Sequence, residues 1–247
     1  MTDSSWLLVY GELSEVDILV FGPHPDDLEI RVGGSLLIWM SQGFRVGLAD
    51  LTRGELGTKG DAETRIAESR EAARRMDVAF RVNLALPDGS LRDDDPARET
   101  VTRLIRDCKP NWVLTNLEED QHPDHAAAAR LVKAAYFLAR LPKYLPNSPA
   151  HSPEQLIYYF IHTQFDPTFL VDIAEVFEKK IEVMESYQSQ FVDPKVPDGY
   201  KYSGLADYFS NVRSLGEAWG VRAGVRAAEA FVSDRPLVVR GIKQWMK

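Results

Sequence analysis

Through the first two-thirds of the chain, short β-branched hydrophobic runs alternate with longer stretches of helical spacing, the pattern of parallel strands joined by crossover helices. The run DILVFG at 17–22, closed by Gly22–Pro23, predicts a strand. A buried amphipathic helix over 28–42 and a strand over 45–51 (RVGLADL) follow, completing a βαβ unit. A second helix is predicted over 62–76, where Ala62, Ile66, Ala73 and Met76 share one side and Arg65, Glu68, Arg70, Glu71 and Arg74 are left for solvent. Next come a short strand over 82–84, a helix over 96–109 with Pro96 at its first position, a buried strand over 112–115 (WVLT), and an alanine-rich helix over 124–138.

The last third is less regular, with strands predicted over 157–161 and 169–172 and helices over 174–187 and 205–219. The proline-rich stretch 141–154 and the segment 193–204 predict two long loops, suited to a substrate lid or a subunit contact. With no internal repeat, heptad seam or low-complexity tract, the expectation is one α/β domain over 1–247. Its core is about 17–191 and a C-terminal elaboration occupies about 192–247.

At 247 residues the chain can bury a substantial core without disulfides. Lys+Arg 29 against Asp+Glu 37 leaves a net charge of −8, which argues against a nucleic-acid binder or an anionic-membrane binder, both of which need a cationic surface. The lone Cys108 has no partner for an internal bridge and is expected as a buried helix residue, in keeping with a reducing cytoplasm. The opening residues show no basic region or long apolar core of a signal peptide, and the longest uncharged apolar stretch, 32–44, is short of the roughly 17–25 residues a membrane span needs.

The chemistry gathers behind two strands. His24-Pro25-Asp26-Asp27 follows the first, and His122-Pro123-Asp124-His125 follows the WVLT strand. Ligands in open α/β sheets bind at the carboxyl ends of strands, where loops distant in sequence converge. Three histidines and three aspartates more than supply the three imidazole and carboxylate ligands of a catalytic zinc site. His24 and Asp27, three apart, can converge within one turn, leaving Asp26 free to take a proton. In the second cluster, spacing allows His122, His125 or both to reach the metal. Taken alone, each cluster also reads as an N-cap with a helix-starting proline; the pair favours a mononuclear metal site.

The chain resembles the LmbE-like family of zinc-dependent N-acetylglucosaminyl deacetylases, and within it the bacillithiol-type branch. The resemblance runs through FGPHPDDLEI, LTRGELGTKG with the following AETR, NLALPDGSL, EEDQHPDHAAAARLV, the YYFI and VDI strands and YQSQF. It implies a Rossmann-like, mostly parallel sheet with helices on both faces, and one Zn2+ on His24, Asp27 and His125. It also implies Asp26 as general base, His122 as a protonated oxyanion donor oriented by Asp124, and Arg53 and Tyr208 as substrate binders. Tyr208 is the nearest match among Tyr200, Tyr202 and Tyr208. A homo-oligomer, a hexamer, is the implied assembly. The same donor set also takes Fe2+ or Co2+.

Two positions depart from the family pattern: Arg31 stands where glycine is usual, and Pro23 where alanine is common. His151 and His162 lie outside the clusters and are expected in structural or surface roles, and Tyr158, Tyr159 and Phe160 in strand packing. The expected activity is removal of the N-acetyl group from a small N-acetylglucosamine (GlcNAc) conjugate, with GlcNAc-malate as the specific substrate. The competing readings are a deacetylase of another amino sugar or antibiotic precursor, and a catalytically silent metal- or ligand-binding module. A nucleotide-binding Rossmann domain is disfavoured, because no Gly-x-Gly-x-x-Gly turn follows the first strand.

Overall fold

A computed structural model describes residues 6–163, 165–192 and 208–238. Eight strands form one sheet: β1 (Leu7–Gly11), β2 (Ile18–Gly22), β3 (Val46–Thr52), β4 (Phe80–Leu86), β5 (Trp112–Asn116), β6 (Gln155–Tyr159), β7 (Phe169–Asp172) and β8 (Ala228–Ser233). Their spatial order is β1-β4-β3-β2-β5-β6-β8-β7. The five central strands, β4 to β6 in that order, are parallel, while β1 on β4, β8 on β6 and β7 on β8 are antiparallel.

β2 is buried along its whole length, and its alternation divides the core. Ile18 and Val20 pack with α1 (Asp27–Ser41) and α2 (Ala62–Met76) on one face. Leu19 and Phe21 pack with α3 (Asp95–Cys108) and α4 (Pro123–Ala139) on the other. The sheet is thus layered between helices, as expected. The helix starts are well signalled: Asp61 caps α2 by accepting from the Thr64 amide at 2.8 Å, and Asp94 caps α3 through the Ala97 amide at 3.1 Å. Cys108 is fully buried at the end of α3, and burial pushes its thiol pKa up. Among the described residues no helix is long and apolar enough to cross a membrane.

The last third departs most from expectation. β6 begins two residues before the predicted start at 157, and α5 is limited to Phe177–Met184, followed by a π-helical turn at Gln188–Val192. α6 covers Tyr208–Ala223, and the predicted start at 205 falls outside the described residues. β8 was not anticipated, nor was β1. β8 lies between β6 and β7, so the elaboration beyond 191 completes the sheet.

The 141–154 loop is not a lid. It joins the end of α4 to the start of β6, at the sheet edge opposite the loops that follow β2 and β5. The buried Arg106 side chain of α3 donates to the carbonyls of Leu138, Ala139, Leu141, Leu145 and Ser148, which fixes the loop against α3 and α4. His151 is structural, its Nε2 lying 2.7 Å from the Pro110 carbonyl. The other predicted loop, 193–204, lies outside the described residues.

Candidate metal centre

β2 and β5 are adjacent and parallel, with β3 and β4 beyond one and β6 beyond the other. α1 leaves β2 toward one face and α4 leaves β5 toward the other, which opens a crevice at the carboxyl ends of the two strands. Both His-Pro-Asp clusters stand in that crevice. The Pro23 carbonyl, at the start of the first, accepts from the backbone and hydroxyl of Thr52 in β3 at 3.1 and 3.0 Å, tying the turn to the sheet.

His24, Asp27 and His125 are all buried and bring one ligand atom each to within 4.8 Å of the others. Asp27 Oδ2 accepts the His24 amide at 3.0 Å and lies 3.3 Å from His24 Nδ1 and 3.7 Å from His125 Nε2. Two imidazoles and a carboxylate in a closed turn suit a divalent transition metal with a fourth position left open. Among the described residues two further groups satisfy the same spacing, His24–His122–Asp124 and Asp120–His125–His162.

Asp26 bulges between His24 and Asp27, with φ 112° and ψ −30°. Such a backbone costs a non-glycine residue on the order of 1–3 kcal/mol and persists only where its surroundings enforce it. Arg65 of α2 does so, donating to the Pro25 carbonyl at 2.5 Å and lying 3.1 Å from Asp26 Oδ2. The helical pattern had left Arg65 and Glu68 for solvent; both are buried, Arg65 against this turn and Glu68 on the Ser189 amide and hydroxyl. Gly54 makes room for Arg65: it has φ +66°, and a Cβ there would collide with the guanidinium.

The carboxylate of Asp124 has partners other than those expected. Its two oxygens accept the Gly89 and Leu91 amides at 2.6 and 3.1 Å, and Oδ2 lies 3.4 Å from His24 Nε2. What holds His122 is the Asp124 backbone, whose amide donates to His122 Nδ1 at 3.2 Å. In this arrangement His122 Nδ1 accepts from the Asp124 backbone instead of donating to the Asp124 carboxylate. Burial, followed by the positive ends of His125 and His24, lowers the His122 pKa.

Three groups join the site without having been expected there. Asp88, after β4, lies 3.1 Å from His24 Nε2 and accepts the Leu56 amide at 2.7 Å. Asp120 lies 3.1 Å from His125 Nδ1 and 2.9 Å from His162 Nδ1. The His162 ring stacks on His125 at 5.1 Å while remaining exposed, so this residue is at the surface, as expected, and also borders the centre. Asp88 stands within NLALPDGSL and Asp120 within EEDQHPDHAAAARLV, two stretches that carry the resemblance, whereas nothing local marks His162.

Arg53 is exposed on the loop after β3, at the same edge as the crevice, and no ion pair with Glu55 holds it; Glu55 accepts the Asp88 amide at 3.1 Å. Tyr208, at the start of α6, lines a cavity of about 190 Å³ together with Asp26 and Asp27 and stacks on Phe191 at 4.8 Å. Tyr200 and Tyr202 lie outside the described residues. Tyr159 is a packing residue, donating its hydroxyl to the Phe21 carbonyl at 2.7 Å.

The ionisation pattern follows from burial and neighbours. Burial lifts Asp26 to about 7 despite the opposing Arg65 charge. Burial also works against charge on His24, but Asp124, Asp27 and Asp88 outweigh it and hold its pKa well above the ordinary imidazole value. For Asp27 the same burial is outweighed by His125 and His24, and its pKa falls below the carboxylate range. The centre is thus an anionic pocket whose carboxylates converge on imidazole nitrogens.

A family profile described as GlcNAc-PI de-N-acetylase (PIG-L) matches residues 19–136. Diacetylchitobiose deacetylase of Thermococcus kodakarensis is 30% identical over 190 residues, covering 70% of this chain and 70% of the relative. The Bacillus cereus protein named "probable N-acetyl-alpha-D-glucosaminyl L-malate deacetylase 2" is 28% identical, over 71% of this chain and 84% of its own. The crystal structure of a conserved protein of Thermus thermophilus superposes with a TM-score of 0.82 at 37% identity, covering 91% of this chain and 97% of the other.

Proposed function

Because the chain belongs to the GlcNAc-PI de-N-acetylase (PIG-L, LmbE-like) family, we propose that it is a metal-dependent hydrolase that removes the N-acetyl group of a small GlcNAc conjugate. The observation that carries this reading is the convergence of His24, Asp27 and His125 with Asp26 and His122 beside them, since metal binding alone has no use for the last two. GlcNAc-malate, as in bacillithiol biosynthesis, is the specific substrate we favour: it is the substrate in the name of the Bacillus relative, and its carboxylates suit Arg53 at the rim. The metal we assign is zinc.

A divalent ion held by His24, Asp27 and His125 supplies a Lewis acid that polarises the amide carbonyl and eases deprotonation of water. Asp26 takes the proton of the attacking water and returns it to the leaving nitrogen as the C–N bond breaks, giving acetate and a free amine. Arg65 holds the Asp26 carboxylate in place for both transfers and favours its anionic form. His122 donates its Nε2–H to the oxygen as charge develops on it, with the ring fixed at Nδ1 by the Asp124 amide. Arg53 and Tyr208 contact the sugar conjugate from the surrounding loop and α6.

The test is release of primary amine from GlcNAc-malate, free GlcNAc and a GlcNAc-inositol conjugate by zinc-reconstituted protein. Turnover selective for the malate conjugate is expected. Asp26→Asn is expected to keep its metal and lose about 10²–10⁴ in rate, and His125→Ala to lose both. Full activity in Asp26→Asn, or silence on all three substrates with zinc bound, would sink the reading.

A further inference from the structure

A second cavity, of about 160 Å³, adjoins the metal centre, and Ile30, Ile161 and His162 line both it and the space over Asp26 and Asp27. Arg31, one turn after Asp27 on α1, lines its wall. Opposite stand Lys180 of α5 and Glu229 of β8, both buried and paired at 2.7 Å. Glu229 is otherwise turned to the backbone of α1, accepting the Gly34 amide at 3.0 Å and the Ser35 amide at 2.7 Å. That approach requires glycine at 34, where a Cβ would lie 2.8 Å from Ile173 and 3.0 Å from Glu229 Oε1.

The charges of the cavity do not cancel. Lys180 is matched by Glu229, whereas among the described residues no hydrogen bond or ion pair reaches Arg31, whose Nε is buried without an acceptor. One positive charge is left over, in a chain whose net charge is −8. Buried donors are ordinarily satisfied, so a cavity-lining arginine with no partner among the described residues marks a place for an acceptor. The remaining wall is apolar, formed by Phe160 and Trp219 stacked at 5.8 Å. A planar fork of donors beside an apolar wall suits a carboxylate on a short carbon skeleton.

We propose that this cavity is a subsite for a carboxylate carried by the substrate, with Arg31 as the residue that recognises it. The proposal rests on the deacetylase reading, with the reacting amide at the metal centre and the anionic arm of the conjugate passing His162. It makes Arg31 a specificity residue: substrates with a carboxylate are selected over neutral glycosides of the same amino sugar.

The experiment compares kcat/KM for GlcNAc-malate and for the methyl glycoside of GlcNAc on zinc-reconstituted protein. Arg31→Met is expected to lower the ratio of the two by at least about tenfold, through KM for the carboxylate substrate. Arg31→Lys, which keeps the charge and loses the fork, is expected to recover part of that loss, as mere loss of packing would not allow. The exposed Arg103→Met on α3 is expected to leave the ratio where it is. An unchanged ratio in Arg31→Met overturns the proposal. Calorimetric titration with L-malate supplies an arm that needs no turnover: affinity is expected to fall at least about tenfold in Arg31→Met, and equal affinity overturns the subsite. Loss of malate binding in a protein that hydrolyses neither substrate supports the subsite and removes the deacetylase reading alone. Acetate binding that depends on Arg31 as strongly as malate binding overturns the substrate assignment, because the cavity would then serve the released product.

Discussion

Arg81 of β4 is fully buried between Asp50 of β3 and Glu29 of α1, while a few residues along α1 and the β2 turn the metal centre gathers its own carboxylates. Around Arg81 the chain supplies both signs. Nε and one terminal nitrogen grip Asp50 at 2.8 and 2.6 Å, and the other terminal nitrogen donates to Glu29 and to the Ser69 carbonyl. At the centre, Asp27, Asp88 and Asp124 converge on His24, Asp120 faces His125 and His162, and the permanent cation nearby, Arg65, is committed to Asp26. The first cluster has a permanent cation of its own, Arg81, shared by two carboxylates, with Glu29 Oε2 left without a partner. In the second, Asp27, Asp88, Asp124 and Asp120 face imidazoles rather than a guanidinium, the donor set that a metal cation takes, and that difference separates a structural cluster from a candidate binding one.

The largest effect is expected from Arg81→Met. It strands two buried carboxylates and is expected to cost about 3–5 kcal/mol in urea unfolding, with no recovery on adding zinc. A cost below about 1 kcal/mol would show that Arg81 is not what holds these carboxylates in the core. At the centre the converse holds. Zinc at a hundred times its Kd is expected to raise the unfolding free energy by about 2.7 kcal/mol, and Asp27→Asn to abolish the increment, as read by thermal unfolding with and without a chelator. Gly54→Ala tests the link between Arg65 and the centre. Strain at φ +66° is expected to cost about 1–2 kcal/mol, and turnover to fall beyond what the lost folded fraction explains, since the guanidinium is pushed off Asp26.

The smallest effect belongs to the same chemistry in water. Glu71 on α2 pairs with Arg74 at 2.7 Å and Arg75 at 2.8 Å, and those hydrogen bonds hold its pKa at about 2. Its folded pKa is below the unfolded value, so its contribution is present above about pH 4.5 and lost as the pH falls through about 2. Because the pair is exposed, Glu71→Gln is expected to cost under about 1 kcal/mol at pH 6 and nothing well below pH 2, measured by chemical denaturation at each pH.

The central strands and helices were legible in the sequence because each announces itself locally: DILVFG is buried on both faces, and Pro96 and Pro123 stand at helix starts. The two His-Pro-Asp clusters were legible for the same reason, whereas the pairing of β2 with β5 that joins them is a tertiary feature that no local pattern signals. β1 and β8 were not. LLVYG is a short edge strand with two exposed leucines, and AEAFVS carries alanines and a buried Glu229 where a strand pattern would place large apolar residues. Arg65 was misread because a lone arginine on a charged helix looks solvated; only the tertiary approach of α2 to the Pro25–Asp26 turn buries it. His162 and Asp120 meet across 42 positions of chain, a distance at which spacing carries no signal.

The Arg106 clamp has a mechanical meaning. A proline-rich loop would ordinarily be an early target for a protease, yet one guanidinium spans five of its and α4's carbonyls and makes the segment a passenger of the α3–α4 pair. The loop is released only when that helix pair parts. Tryptic cutting at the exposed Lys143 is therefore a clock for opening of that flank of the molecule, running at the rate at which two helices separate.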